Sequence, residues 1–517
     1  MEKPTAPVNI SIDKNYDSEF CGSIPLHLIN LVQPHGVLLV LDKEELRVLQ
    51  ISENVEDFLS VSPEDLLEQP LSVFLQPGQY SDLLAKINTQ GSQDKIPFML
   101  NFKVQGKEVS FSALVLPQQE YVLMELEKNM PAPEEAFVRL YQHIKYITTL
   151  MKQAGTCSEI AQRAAMELKK FTGFDKVLVY QFDPQWNGIV IAQAKEEDMA
   201  DYLGLRFPAS DVPKQARDLY FKTPYRLIPT REYSPVRLIP VINPLTQRFT
   251  DLSESSLRSV AKVHLEYLAN MNIMASMSLP IIIDNKLWGL ISCHHKTAKQ
   301  PGYEMRSAME LLSGILSAQL EARQREEHMV LRVHLRNIHV KLVEQLYTGA
   351  HFAESLLGGK TSMQELLSLS GAAVVYEGNI WTSGSTPGSQ EVKELASWLR
   401  RNKSGGLFAT DKLAQDYPHS RPYAEVASGL VSLPINAEQG EFILGFRAEV
   451  IQSVAWGGNP DDAIRLEPDG KTYHPRHSFA TYQETVKQTA LPWQQEELEA
   501  AETLRNAVLE KIVKARY

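Results

Sequence analysis

Between residues 304 and 347 the sequence holds no proline and a single glycine, Gly314. A stretch with one weak breaker reads as one helix of more than about ten turns, long enough to leave one domain and enter the next. Such a rod needs lateral support. Leu312, Ile315, Leu331, Leu335, Ile338 and Leu342 recur along it at helical spacing with charged residues between them. Two copies of the helix packed in a homodimer would supply that support.

The rest of the chain is bounded by simple quantities. With 517 residues, 44% hydrophobic and 22% charged, the chain is ordinary globular material, and about 150 residues per domain implies three or four domains. No run of about 18 or more apolar residues occurs. The N-terminus carries Glu2, Asp13 and Asp17 and lacks the apolar core of a signal peptide, so a cytoplasmic location without membrane insertion is expected. A net charge of -11, from 52 basic and 63 acidic residues, works against nucleic-acid and anionic-membrane partners. The three cysteines, Cys21, Cys157 and Cys293, are too scattered for a disulfide framework or a metal site, so each is read as a lone thiol.

Residues 1–19 are polar and without periodicity, and they read as a flexible arm. Strands at 37–41 and 46–51, short helices near 55–58 and 63–67, and strands at 97–104, 108–116 and 121–126 form a small antiparallel sheet flanked by helices. Pro131-Ala132-Pro133 marks a linker. Phe137, Leu140, Tyr141, Ile144, Ile147 and Leu150 share one helical face, and Ser158 is expected to cap a second helix ending at Gly173. Strands 176–182 and 189–194 turn around Asn187-Gly188, and strands 277–283 and 286–293 close the same sheet around Asp284-Asn285. A third sheet-and-helix region follows the long helix and contains a long insert from Trp456-Gly457-Gly458 to Trp493. The last helix, 496–517, carries the stripe Leu498, Ala501, Leu504, Val508 and Ile512 and reads as a connector. The expected fold class is α+β, with three sheet-plus-helix domains linked by long helices.

Between the two hairpins of the second region lies Arg206-Phe207-Pro208-Ala209-Ser210-Asp211-Val212-Pro213. Its two prolines hold Phe207 and Val212 extended and remove two backbone donors, which leaves a stiff loop presenting a carboxylate and free carbonyls. Taken alone it also reads as an ordinary loop in which Asp211 caps a helix from Lys214. Arg226, Arg258, His264, Cys293-His294-His295 and Pro475-Arg476-His477-Ser478-Phe479 follow in order. Ahead of it stand Cys21-Gly22-Ser23-Ile24-Pro25-Leu26-His27 and Val32-Gln33-Pro34-His35-Gly36. Together these resemble the phytochromes, the bilin-binding red-light receptors, from about Cys21 to the C-terminus, and the N-terminal run is similar to that of bacteriophytochromes.

The resemblance implies a PAS domain at 20–128, a GAF bilin-binding domain at 138–325, and a PHY domain at 326–505 with its tongue at 456–493. The helix 496–517 would lead to an output domain. The implied cofactor is biliverdin IXα, joined by a thioether to Cys21. Val263 agrees with this, since plant and many cyanobacterial members carry their bilin-linking cysteine there. Arg226 and Arg258 would bind the propionates bidentately, as lysine would not, with hydroxyls from Tyr220, Ser276 and Ser278. His264 and the carbonyl of Asp211, with Val212 beside it, would stabilise a cationic bilin. Tyr180, Phe207 and Tyr267 would box the D-ring and His294 would hydrogen-bond its carbonyl, so that the ring turns on excitation and is held in either position. Asp211 would pair with Arg476 when the tongue is a hairpin and with Ser478 when it is helical. The run after Phe479 suits both states: Thr481, Tyr482, Thr485 and Val486 favour a strand, and Thr481 followed by Glu484 forms a capping box. The chain departs from the family at Ile29-Asn30 (usually Pro-Gly), at Ala261-Lys262 (usually Ser-Pro, so that one propionate contact is either lost or taken over by Lys262) and at Phe207 (tyrosine in many relatives).

No P-loop, kinase phosphoacceptor block or cyclase motif is present, so no catalytic residues are expected in this chain. The output would be a histidine kinase acting on a response regulator, or a diguanylate cyclase. The competing class is a GAF sensor of a cyclic nucleotide or haem without photochemistry, which would need neither Cys21 nor the tongue.

Overall fold

Val37–Leu41 is apolar at every position because both of its faces are covered. In the computed structural model, which describes residues 25–89, 95–104, 106–128, 136–403, 405–462, 464–466 and 473–516, this strand is central to the first sheet. Cys21 and the arm 1–19 lie outside the described residues. Val37, Leu39 and Leu41 enter one apolar cluster with Phe102 and Phe111, and Leu38 and Val40 enter another with Val32, Leu238 and Leu257. The sheet has seven strands, in the order Leu31–Val32, Val236–Ile239, Val48–Ser52, Val37–Leu41, Val122–Lys128, Lys107–Pro117 and Ile96–Val104. The second of these comes from much later in the sequence than the other six, and it pairs antiparallel with both neighbours. The helix Pro77–Thr89, unexpected from the sequence, covers the same core with Leu83 and Ile87.

The second sheet runs Arg226–Ile228, Ala275–Ile283, Lys286–His295, Lys176–Phe182, Gly188–Lys195 and Arg206–Phe207, with Trp456 pairing parallel to Arg206 beyond them. Both expected hairpins form. Asp284 and Asn285 have φ of 48° and 58°, the left-handed pair that a tight two-residue turn requires. Helices Ala136–Lys152 and Cys157–Thr172 cover one face, joined by Leu312, Leu316 and Leu320 of the long helix. The cap of the second helix is Thr156, whose side chain accepts from the Glu159 amide at 3.2 Å, and Ser158 lies within the first turn. The other face of this sheet carries the cavity described below.

Contacts divide the chain into two compact units, one of residues up to 321 together with 455–482, the other of 322–454 together with 483–517. The expected long helix is continuous from Tyr303 to Thr348. Within the second unit a five-stranded sheet, in the order Asn379–Gly384, Gly371–Tyr376, Glu441–Arg447, Gly429–Asn436 and Phe408–Thr410, is covered on one face by the helix Ser389–Asn402. Its other face receives Leu335, Ile338, Leu342 and Leu346 of the long helix, and Ala501, Leu504 and Val508 of Gln495–Arg516.

Two expectations change here. The last helix is part of this unit's core, so its stripe is spent on packing. The apolar stripe of the long helix is likewise covered by the chain's own cores, Leu312 and Ile315 in the first unit and Leu331 to Leu342 in the second. What it leaves exposed is Leu311, Met329, Val330, Val333 and Val340. Among the described residues no helix is long and apolar enough to cross a membrane and no metal-binding cluster occurs.

Candidate functional site

The cavity begins with backbone turns. Gly188 lies opposite Phe182 across the first hairpin, and a Cβ there would fall 1.6 Å from Tyr180 Cζ, so only glycine lets the Tyr180 ring occupy its place. The short strand Arg206–Phe207 pairs with Gly188 and Ile189 and turns Phe207 inward. The Phe207 ring packs edge-on to Tyr202 at 5.6 Å and tilted to Tyr180 at 6.1 Å. With Leu178, Val190 and Ile228 these rings wall a cavity of about 790 Å³, counting its open part.

The polar groups arrive from three elements. On the edge strand Arg226 sits opposite Ser278, and Ile228 opposite Ser276. Tyr220 Oη and Ser278 Oγ are 2.7 Å apart, and Arg226 Nη1 is buried without a hydrogen-bond partner. From the strand Lys286–His295 comes His294, whose Nε2 lies 3.0 Å from Ser292 Oγ and whose Nδ1 has no partner. From the helix Lys262–Asn270 come His264 and Tyr267, their rings stacked at 5.9 Å. Burial, with the Arg226 charge adding to it, pushes the His264 imidazole down to about 4, and burial with Lys176 and His264 pushes His294 down to about 3. Both rings are therefore neutral at pH 7, each with one nitrogen able to donate and the other able to accept.

Asp211 caps nothing. The helix Lys214–Leu219 has Pro213 at its N-cap position, and the Asp211 carboxylate is held by the Tyr267 hydroxyl at 2.7 Å and by the Arg476 guanidinium. The side chains of the ion pair are 6% and 2% exposed. Burial pushes the Asp211 carboxyl up, against the pull of Arg476 and Tyr267. The guanidinium keeps its proton, so the contact is a charge-assisted one. Arg476 also lies over Phe207 and Phe479, at 5.3 and 4.7 Å from the ring centres. Space is made for this by Gly457, where a Cβ would meet Phe207 Cζ at 2.7 Å.

Tyr180, Phe207, Asp211, Val212, Tyr220, Arg226, His264, Tyr267, Ser276, Ser278 and His294 thus line one cavity. Arg258 does not. It is buried, and its Nη1 donates to the carbonyls of Leu252 and Ser253 at 3.3 and 3.2 Å, which holds it off the wall. Lys262, named above for the propionate contact at Ala261-Lys262, is exposed and is not among the residues that line the cavity. Ser478 is exposed, with its Oγ accepting from the Ala480 amide at 3.3 Å, while Arg476 has the aspartate. Cys293 is fully buried with its thiol pushed up by burial, which makes it unreactive. Cys21 is outside the described residues. Sequence reasoning missed Leu290 and Ser292, which alternation along the strand places on the His294 face. It also missed Tyr202 and Met271, which carry no local signal.

Three family profiles match the chain in order: PAS fold over residues 21–129, GAF domain over 157–323 and phytochrome region over 335–516. Cyanobacterial phytochrome B of Nostoc sp. is 39% identical over 502 residues, covering 97% of this chain and 67% of that protein. For cyanobacterial phytochrome A of the same organism the identity is 36%, covering 95% of this chain and 64% of that protein, so the chain spans about two thirds of these relatives. The bacteriophytochrome of Xanthomonas campestris pv. campestris is 31% identical, covering 97% of this chain and 80% of that protein. Among solved structures, a bacteriophytochrome from the photosynthetic bacterium R. palustris has a TM-score of 0.86 at 34% identity, over 96% of this chain and 99% of that one. The photosensory core module of Stigmatella aurantiaca phytochrome has a TM-score of 0.86 at 35% identity over the same shares.

Proposed function

This chain belongs to the phytochrome family and carries the PAS, GAF and PHY regions of its photosensory core, and from that premise we propose that it is a red/far-red light receptor holding biliverdin in the cavity behind Phe207, with Cys21 as the thioether attachment. The supporting observation is the cavity's mismatch. Its walls are apolar and aromatic, yet Arg226 Nη1 and His294 Nδ1 are buried in them without partners. An unsatisfied buried polar group costs about 1–3 kcal/mol, and a flat apolar ligand with carboxylates and terminal carbonyls satisfies both.

Bound biliverdin would supply red-light absorption and a double bond that isomerises. Arg226 takes a propionate, with Tyr220, Ser276 and Ser278 around it. Arg258 reaches the other only by giving up the Leu252 and Ser253 carbonyls, which makes Arg226 the principal anchor. The neutral His264 ring and the Asp211 backbone carbonyl would hold the inner pyrroles, and Tyr180, Phe207, Tyr267 and His294 would hold the outer ring. The domain limits that go with this reading are PAS 20–128, GAF 138–325 and PHY 326–505 with its tongue at 456–493. A homodimer through the exposed face of the long helix, and an output domain of histidine kinase or diguanylate cyclase type, complete it.

The test is to mix the purified chain with biliverdin and record absorbance before and after red light. A red band that light converts to a far-red one is expected, as is a zinc-fluorescent band on a denaturing gel that Cys21→Ala abolishes while the visible absorbance partly survives. A fluorescent Cys21→Ala band places the attachment elsewhere. No red band, with a Soret band on adding haem, replaces the reading with a small-ligand sensor.

A further inference from the structure

The helix Lys262–Asn270, which brings His264 and Tyr267 to the cavity, has a second polar row. Glu266 and Asn270 are four residues apart and share a face. Opposite them runs the returning strand Tyr473–Pro475 of the hairpin that begins at Ile464–Leu466. His474 Nδ1 lies 2.9 and 3.1 Å from the two Glu266 carboxylate oxygens, and Asn270 Nδ2 donates to the Arg476 carbonyl oxygen at 3.1 Å. Four helical residues rise about 6 Å and two strand residues about 6.8 Å, so these two contacts form together in one register. A slip by one residue would set Pro475, which has no N–H, against the carboxylate, and would carry the Arg476 side chain to the opposite face.

We propose that Glu266 and Asn270 are positioning residues that set the register of the hairpin so that Arg476 meets Asp211, and that the Glu266–His474 contact makes this register depend on pH. Its consequence for light signalling rests on the photoreceptor reading above, whereas the contact itself does not. Among the described side chains the charged partner of His474 is Glu266, with Lys262 one turn earlier on the same helix and the Asp211–Arg476 pair two residues along; the backbone of Arg465 is in register with His474 across the hairpin. A histidine gains its charge between about pH 8 and 5. With it the contact becomes an ion pair, so the hairpin is held more firmly at the acid end of that range and loosens as pH rises through it. The side chains are 39% and 33% exposed, so solvent screening limits the effect to about two- to fivefold in the opening equilibrium.

Amide hydrogen exchange of residues 473–482, corrected for its intrinsic pH dependence, tests this at about pH 6 and 8.5, in the dark, for the chain with and without biliverdin. In the parent the segment is expected to open about two- to fivefold more readily at the higher pH. Glu266→Gln and His474→Asn each abolish that difference, and Asn270→Ala raises opening equally at both pH values. Unchanged protection of Ala275–Ile283 and Lys286–His295 reports that the variants are folded. A Glu266→Gln protein that keeps the parent's pH dependence, or an Asn270→Ala protein that exchanges like the parent, overturns the proposal. Because the readout needs no light and no chromophore, its failure is distinct from a failure to bind biliverdin.

Discussion

His264 is a titratable ring held neutral by its surroundings, and that has a measurable cost. Its folded pKa of about 4 lies below the usual value of 6.5, so as pH falls the unfolded chain takes up the proton first. Stability is full above pH 6.5 and is lost between there and about 4, by up to about 1.4 kcal/mol per pH unit for each such group. His294 and His35, both pushed down to about 3 by burial, act in the same direction. Thermal melting of the bilin-free protein is therefore expected to fall steeply from pH 7 to 4.5, and His264→Gln is expected to flatten that fall. An identical acid slope would mean that His264 is protonated in the folded protein. The same neutral ring is what the proposed site needs, since a second cation beside Arg226 would repel a protonated bilin.

At the level of elements the tongue is where local preference ran out. The residues after Phe479 suit a strand or a helix, and here Thr481–Val486 is a strand, the state in which Asp211 holds Arg476. A charge-assisted contact is worth about 1.5–3 kcal/mol and a neutral one about half of that, so under the proposed function an exchange of Arg476 for Ser478 would bias a two-state tongue appreciably. Arg476→Ala is expected to leave biliverdin binding intact, because the cavity walls stay in place, and to deplete the form coupled to the hairpin. Light-minus-dark difference spectra and thermal reversion rates check this. Spectra and rates identical to the parent's would mean that the ion pair carries no bias.

At the scale of the first unit, two contacts far apart in sequence lock it. One is the strand Val236–Ile239 inserted beside Val48–Ser52. The other is the ion pair of Glu127, on the strand Val122–Lys128 of the first sheet, with Arg306, in the first turn of the long helix, at 2.7 and 2.8 Å. Arg306 is 2% exposed. Removing one partner of such a pair leaves a buried charge uncompensated and costs about 3–5 kcal/mol, so Glu127→Ala is expected to melt several degrees lower in a thermal scan. A melting curve that overlays the parent's would show that solvent or a neighbour takes up the charge.

Much of this molecule was legible in one dimension. Both hairpins of the second sheet and the long helix follow from period-two and period-3.6 patterning and from the turn residues at Asn187-Gly188 and Asp284-Asn285, while the residues named for the site, from Tyr180 to His294, came from a family resemblance carried by a few quoted motifs. Those signals are local because backbone preference and side-chain alternation act over a few residues. Partner choice is not local. Nothing near Val236–Ile239 says that it completes another domain's sheet, and nothing near Arg258 says that its guanidinium will be taken by the Leu252 and Ser253 carbonyls. The stripes at Leu335 and Leu504 announced that they would be buried, but not against what, since an apolar face gains the same free energy from a second copy of the chain as from its own core. Which surface covers it is settled by the path of the chain between the two, and here that path brings both stripes onto the sheet of their own unit.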